Sequence, residues 1–167
     1  MIHPPIRRLL ADIADAARSP VDGRDRQMAA ALAPHLGDPE LLCGLECPCR
    51  PERYTRHLLH NDPEAGYAAV VIAWSPGQMS PVHGHHTWCA FGVQRGWLTE
   101  TFFRPDGATA QPTACLPRRP GDVGHAPANP AAIHRLANLG TEPALSLHVY
   151  GVSYDRFGDG VNAVWAA

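Results

Sequence analysis

The stretch on which the fold turns is Gly77-Gln78-Met79-Ser80-Pro81-Val82-His83-Gly84-His85-His86-Thr87-Trp88-Cys89, with a further glycine at Gly96. On a β-strand successive side chains point to opposite faces, so His83 and His85 share one face and supply half of a metal site. Gly84 between them leaves room behind the strand, and Pro81 suits a strand's beginning better than its middle. The rest of the chain is read by asking what completes this pair.

A third ligand has to come from another strand. His134, in Ala132-Ile133-His134-Arg135-Leu136-Ala137-Asn138, alternates with apolar positions after a Pro/Gly-rich loop. A lone histidine is usually an ordinary packed or surface residue, but here a His-x-His pair is waiting for it. His125, in Gly124-His125-Ala126-Pro127, is the rival and ranks second, because a loop holds a ligand less well than a strand. Farther on, Ala144-Leu145-Ser146-Leu147-His148-Val149-Tyr150 places Leu145, Leu147 and Val149 on one face and Ser146, His148 and Tyr150 on the other. The apolar face must pack on core, whereas the polar face can satisfy its own hydrogen bonds in one row. Such a row lines either solvent or a site. A Ser–His hydrolase is disfavoured, since Ser146 lies within a strand and lacks the G-x-S-x-G elbow that exposes a nucleophile.

Outward from these segments, the chain from Tyr54 onward is punctuated by Pro and Gly between runs rich in Val, Trp, Phe, Thr and Tyr. Strands are expected at 54–60, 67–74, 81–86, 88–94, 97–104, 109–115, 132–137 and 144–150, with turns at Asn61–Gly66 and Arg104–Gly107. Many short strands at this spacing predict a sandwich, jelly roll or barrel. The first 45 or so residues read as helical. Ile6, Leu9, Leu10, Ile13 and Ala17 recur at helical spacing, and Pro20 stops that helix. A second helix is expected from about Gly23 to Leu36, capped by Asp22 and ended by Gly37, and a short third turn from Asp38-Pro39-Glu40.

At 167 residues the chain is expected to form one domain, residues 1–167, with a helical segment over 1–48 and a β-barrel over 50–165. Sixteen acids against fourteen Lys and Arg leave no basic stripe for nucleic acid. The longest apolar run, Ala68 to Trp74, is too short to span a membrane, so a cytoplasmic protein is expected. Five cysteines in such a chain do not imply disulfides. Cys43, Cys47 and Cys49 cluster but lack a second pair to close a zinc site, and free thiols are the expectation.

These residues resemble the cupin superfamily. The first cupin motif, Gly-x5-His-x-His-x3-Glu-x6-Gly, is similar to Gly77, His83, His85 and Gly96, with Cys89 at the glutamate position. Of the second motif His134-x3-Asn138 remains, while its Pro and Gly positions hold Asn129 and Ala131. Within that superfamily the chain resembles the cysteine dioxygenase family of thiol dioxygenases over roughly residues 50 to 151. The matching pieces are Tyr54-Thr55-Arg56, Ser80-Pro81-Val82-His83, Ile133-His134-Arg135 and Ser146-x-His148-x-Tyr150, together with Cys89.

The resemblance implies a mainly β cupin jelly-roll barrel holding Fe(II) through His83, His85 and His134. It implies O2 addition to the sulfur of cysteine, with small-molecule thiol and O2 as the partners. Tyr150 would donate a hydrogen bond to the reactants, with His148 orienting it and Ser146 orienting His148. Arg56, beside Tyr54, would pair with the substrate carboxylate, and Cys89 would form a thioether with Tyr150. One residue fewer separates His85 from Cys89 than in animal members of the family. Relatives that oxidise 3-mercaptopropionate tend to place their arginine in the C-terminal segment, where this chain has Arg156. Dioxygenation of 3-mercaptopropionate or mercaptosuccinate is therefore an alternative, and a metal-binding cupin without oxygenase activity is another, because imidazole suits several metals.

Overall fold

A computed structural model describes residues 4–166 of the chain. The expected helices are α1 (Pro4–Ala17) and α2 (Arg24–Leu32), the latter running into a 3-10 turn over Ala33–His35. Ten strands follow: β1 (Thr55–Asp62), β2 (Tyr67–Trp74), β3 (His83–His85), β4 (Cys89–Arg95), β5 (Leu98–Asp106), β6 (Thr109–Arg118), β7 (Val123–Ala126), β8 (Asn129–Ala137), β9 (Ala144–Tyr150) and β10 (Asn162–Val164). A helical turn, α3 (Phe157–Gly160), precedes β10.

The strands form two five-stranded sheets, in the orders β1-β2-β9-β4-β7 and β10-β3-β8-β5-β6. Every pairing within them is antiparallel, and among the described residues no ladder joins one sheet to the other. The mainly β jelly roll expected from the sequence is therefore present as a sandwich of two facing sheets, not as a closed barrel.

β2 shows how one apolar run serves two layers. All of its residues are buried, but Tyr67, Ala69, Val71 and Ala73 face the helices while Val70, Ile72 and Trp74 face the space between the sheets. β9 divides the same way. Leu145, Leu147 and Val149 join Ile6, Leu9 and Ile13 of α1 and Met28 and Leu32 of α2 in one apolar cluster. The helices thus cover the outer face of the first sheet, and the polar row of β9 is left facing inward.

Four expectations need correction. Residues 123–126 are a strand, not loop, and 162–164 form a further strand beyond those expected; both are too short for a period to register and exist because a neighbouring strand pairs with them. Asp22 does not cap α2: Gly23 sits at the N-cap with φ +82° and no side-chain cap bond is made. α2 ends at Leu32, although Gly37, at φ +82°, does turn the chain soon afterwards. At Asp38-Pro39-Glu40 the side chain of Asp38 accepts the Glu40 N–H at 2.9 Å, but only turns follow. No helix among the described residues is long and apolar enough to cross a membrane.

Candidate metal centre

His83 and His85 point from β3 into the space between the sheets. Gly84, on the strand's other face, has no room to spare: a Cβ there would lie 2.2 Å from the Pro130 carbonyl oxygen. The space expected behind the pair is filled by the backbone of β8, which is why the position is glycine. That close approach also sets the register, and His134 on β8 lies directly opposite His83. The three ring centroids are 4.7, 4.8 and 5.1 Å apart, and one ligand atom from each ring lies within 4.8 Å of the others.

Each ring is held at Nδ1, and each by a different partner. His83 donates to the Pro81 carbonyl at 2.9 Å, His85 Nδ1 lies 3.4 Å from Cys89 Sγ, and His134 donates to Glu100 Oε1 at 2.7 Å. Nε2 is thereby left to point inward, and that of His134 is buried without any hydrogen-bond partner. Three Nε2 atoms, one of them an orphaned buried acceptor, are a donor set that fits one divalent transition metal. Burial, with the neighbouring His134, pulls His83 down to about 4, and burial also depresses His85 strongly, so both rings are neutral, as ligands must be.

His125, the rival ligand, lies elsewhere. Its Nδ1 meets Asp25 of α2 at 2.8 Å, tying β7 to the helical layer. Asn138 is also outside the centre; its side chain bonds Trp74 O, Glu142 O and Gly140 N and so shapes the turn between β8 and β9. Cys43 is exposed and Cys47 and Cys49 half-buried, and all are free thiols.

The opposite wall comes from the first sheet. Ser146 Oγ lies 2.8 Å from His148 Nε2, and His148 Nδ1 lies 3.2 Å from the Tyr150 hydroxyl. Trp74 Nε1–H donates to Ser146 Oγ at 2.9 Å from β2. These contacts assign the protons. The Ser146 hydroxyl proton has His148 Nε2 as its one acceptor among the described residues, so Nε2 is unprotonated and Nδ1–H donates to the Tyr150 oxygen. The Tyr150 O–H is then free to donate into the cavity. Burial, reinforced by the Arg56 charge, keeps His148 neutral, and burial raises Tyr150, so its proton stays on. The His148 ring also stacks on Phe91 at 5.4 Å, its register partner on β4.

Tyr54 and Arg56 close the cavity from β1 and its approach, and the lining also includes Ile72, Trp74, Cys89 and Leu136. Arg56 Nη2 bonds the Tyr54 hydroxyl at 3.3 Å, while its Nε–H is buried and unpaired. Arg56 also lines an outer cleft with Arg50, Arg53, Tyr154 and Phe157, so its guanidinium stands between the cavity and solvent. Arg156, the other arginine considered, is exposed and does not line the cavity.

Sequence reasoning did not find Glu100, Arg118 or Trp74. Glu100 is 3 % exposed on β5, and its other oxygen is gripped by Arg118, whose Nε lies 2.7 Å away. Burial alone would raise that carboxyl, but the hydrogen bond and charge of His134 and the charge of Arg118 hold it below its ordinary value. A lone acid in Leu98-Thr99-Glu100-Thr101 carries no local signal, because its partners are on other strands.

Comparison with known proteins agrees with this geometry. The family model described as cysteine dioxygenase type I matches residues 48–158. The human protein named cysteine dioxygenase type 1 is 31% identical over 107 residues, which is 62% of this chain and 53% of that protein. The rat protein of the same name gives the same identity and coverage, 31% over 107 residues. The chain thus spans about half the length of the curated relatives it matches, 53%. A Thermus thermophilus protein of solved structure superposes with TM-score 0.51 at 22% identity, over 63% of this chain and 89% of that one. A Klebsiella pneumoniae protein with a double-stranded β-helix domain gives TM-score 0.51 at 19% identity, over 71% and 84%. These last two share the fold. With the family's match running through β1, the histidine cluster and the polar row of β9, the chain belongs to the cysteine dioxygenase type I family.

Proposed function

We propose that the chain is a non-haem Fe(II) thiol dioxygenase that adds both atoms of O2 to the sulfur of L-cysteine, giving cysteine sulfinic acid. The observation that carries this reading is a cavity lined by the three clustered imidazoles, by Tyr150 and by Arg56, whose Nε–H is buried and unpaired. His83, His85 and His134 would hold the metal. An Fe(II) bound there would supply redox-active chemistry for the reaction of a thiolate with O2.

The other groups bind and orient. Arg56 is placed to pair with the substrate carboxylate, a planar anion that suits its guanidinium, and Tyr54 holds Arg56 by a hydrogen bond and an underlying ring, 5.4 Å from Cζ. Tyr150 donates its proton in a hydrogen bond to the reacting atoms, and Trp74, Ser146 and His148 fix its direction. The stoichiometry closes without another reductant: thiolate plus O2 gives sulfinate, the sulfur losing the four electrons that O2 takes up.

Residues 1–48 would serve as the helical cover and 50–165 as the β portion of one cupin-type domain. The five free thiols fit a reducing compartment such as the cytoplasm. Arg56 lines the cavity and Arg156 does not, and the family resemblance links that arrangement to cysteine rather than to 3-mercaptopropionate. The hydrogen-bonded row behind Tyr150 favours an oxygenase over a metal-binding cupin, since binding alone needs no oriented phenol.

The test is oxygen uptake by protein loaded anaerobically with Fe(II), given L-cysteine and 3-mercaptopropionate in parallel, with products identified by mass. Cysteine sulfinate formed mole for mole with oxygen consumed is the expected result. Sulfinate from 3-mercaptopropionate alone would move the substrate assignment to that acid. No uptake by iron-replete protein with either thiol would overturn the reading.

A further inference from the structure

We propose that Glu100 is a positioning residue of the metal centre: clamped by Arg118, it makes His134 the most strongly donating of the three imidazoles. The inference rests on the metal-site reading above and adds a group to it.

The three ligand rings differ in what stands behind them. A carboxylate backs His134 at 2.7 Å, a peptide carbonyl backs His83 at 2.9 Å, and a thiol backs His85 at 3.4 Å. The sulfur contact is the longest of the three, and sulfur is a weak hydrogen-bond partner. A charged acceptor polarises the imidazole N–H more than a neutral one and increases the electron density at the opposite nitrogen. Ligand strength is thereby graded, and His134 is at the top.

Glu100 is built to stay where it is. It is 3 % exposed, one oxygen is on His134, and the other is held by Arg118 Nε at 2.7 Å and by Arg118 Nη2. Arg118 is fixed in turn, with Nη1 donating to Val123 O on β7 at 3.2 Å and Cζ 5.7 Å from the Phe91 ring. The carboxylate is therefore charged, oriented and engaged at both oxygens, so it acts through His134 without becoming a ligand itself.

The sequence makes the placement notable. Cys89 stands where the first cupin motif has its glutamate, and β5 supplies a carboxylate behind an imidazole instead. As a ligand, a carboxylate would neutralise a unit of metal charge. Behind an imidazole, it would lend electron density through the ring instead.

The experiment uses the full chain and reads the metal, not turnover. Wild type, Glu100→Gln and the double variant Glu100→Gln/Arg118→Met are compared for Fe(II) affinity by anaerobic chelator competition and for Fe(III)/Fe(II) midpoint potential. The double variant guards against misfolding caused by an unpaired buried guanidinium. Both variants are expected to bind Fe(II) about ten- to a hundredfold more weakly, with the potential raised because a weaker donor stabilises Fe(III) less. Affinity and potential equal to wild type in the folded double variant would overturn the inference and leave Glu100–Arg118 as a tie between strands. Absence of Fe(II) binding by the wild type would instead overturn the metal-site reading, and this inference with it.

Discussion

Cys89 and Tyr150 are direct register partners across β4 and β9, both buried and both facing the cavity. One residue fewer between His85 and Cys89 does not move the cysteine away from the tyrosine, because strand pairing fixes its position. A thioether between them replaces the Cys89 S–H and a Tyr150 ring C–H by one S–C bond, a two-electron oxidation for which O2 is the oxidant. After aerobic turnover, intact mass should fall by about two hydrogens in part of the population, with a doublet on a denaturing gel. Cys89→Ser should abolish both signals. A single unshifted species after prolonged turnover would mean that the pair faces without reacting.

Arg56 lines the cavity proposed to receive an anion, and its Nε–H is buried with no partner. Arg56→Ala should raise the KM for L-cysteine about ten- to a hundredfold, the worth of one charge-assisted hydrogen bond. Cysteamine, which lacks the carboxylate, should be handled alike by wild type and variant. An unchanged KM for cysteine would remove Arg56 from substrate recognition.

The proton order along Ser146, His148 and Tyr150 separates the roles of these residues. Tyr150→Phe should retain the metal but slow turnover about ten- to a hundredfold, through loss of one donated hydrogen bond. Ser146→Ala removes the donor to His148 Nε2 and allows the other tautomer, whose Nδ1 would accept the Tyr150 proton and withdraw it from the cavity. Its kcat should therefore fall with little change in KM. Equal kcat in wild type and Ser146→Ala would show that the tautomer does not matter.

What could be read in advance was what the strand period carries. His83, His85 and the split faces of β9 follow from alternation over a few residues, and they proved to face one another across the two sheets. Their partners did not follow from it. Glu100 reaches His134, and Trp74 reaches Ser146, through registers between strands distant in sequence. Tyr54 and Arg56 carry no local signal either and were found through the family resemblance. β10 pairs with β3 although it lies 77 positions or so beyond it, and three residues leave no pattern from which to expect that.

Gly84 is the position at which backbone packing and the proposed metal ligation meet. A methyl group there would strike the Pro130 carbonyl, so β3 or β8 must shift. Gly84→Ala should cost about 1–3 kcal/mol of stability and reduce Fe(II) retention, because His83 and His85 ride on the displaced strand. A variant with wild-type melting and full iron content would mean that the strands separate at no cost.

The buried neutral histidines also make stability depend on pH, and the sign can be worked out. His148 is depressed in the folded state, chiefly by burial, from an ordinary value of 6.5. His83 is lowered to about 4 by burial and by His134. Below pH 6.5 the unfolded chain therefore binds protons that the folded chain refuses, so stability is full above that pH and is lost as pH falls toward the folded values. Each such histidine contributes a slope of about 1.4 kcal/mol per pH unit within its window. Urea midpoints of metal-free protein should fall steadily from pH 7 to pH 5, and His148→Gln should flatten the slope by about one proton's worth. A variant with the wild-type slope would mean that His148 takes up its proton in the folded state.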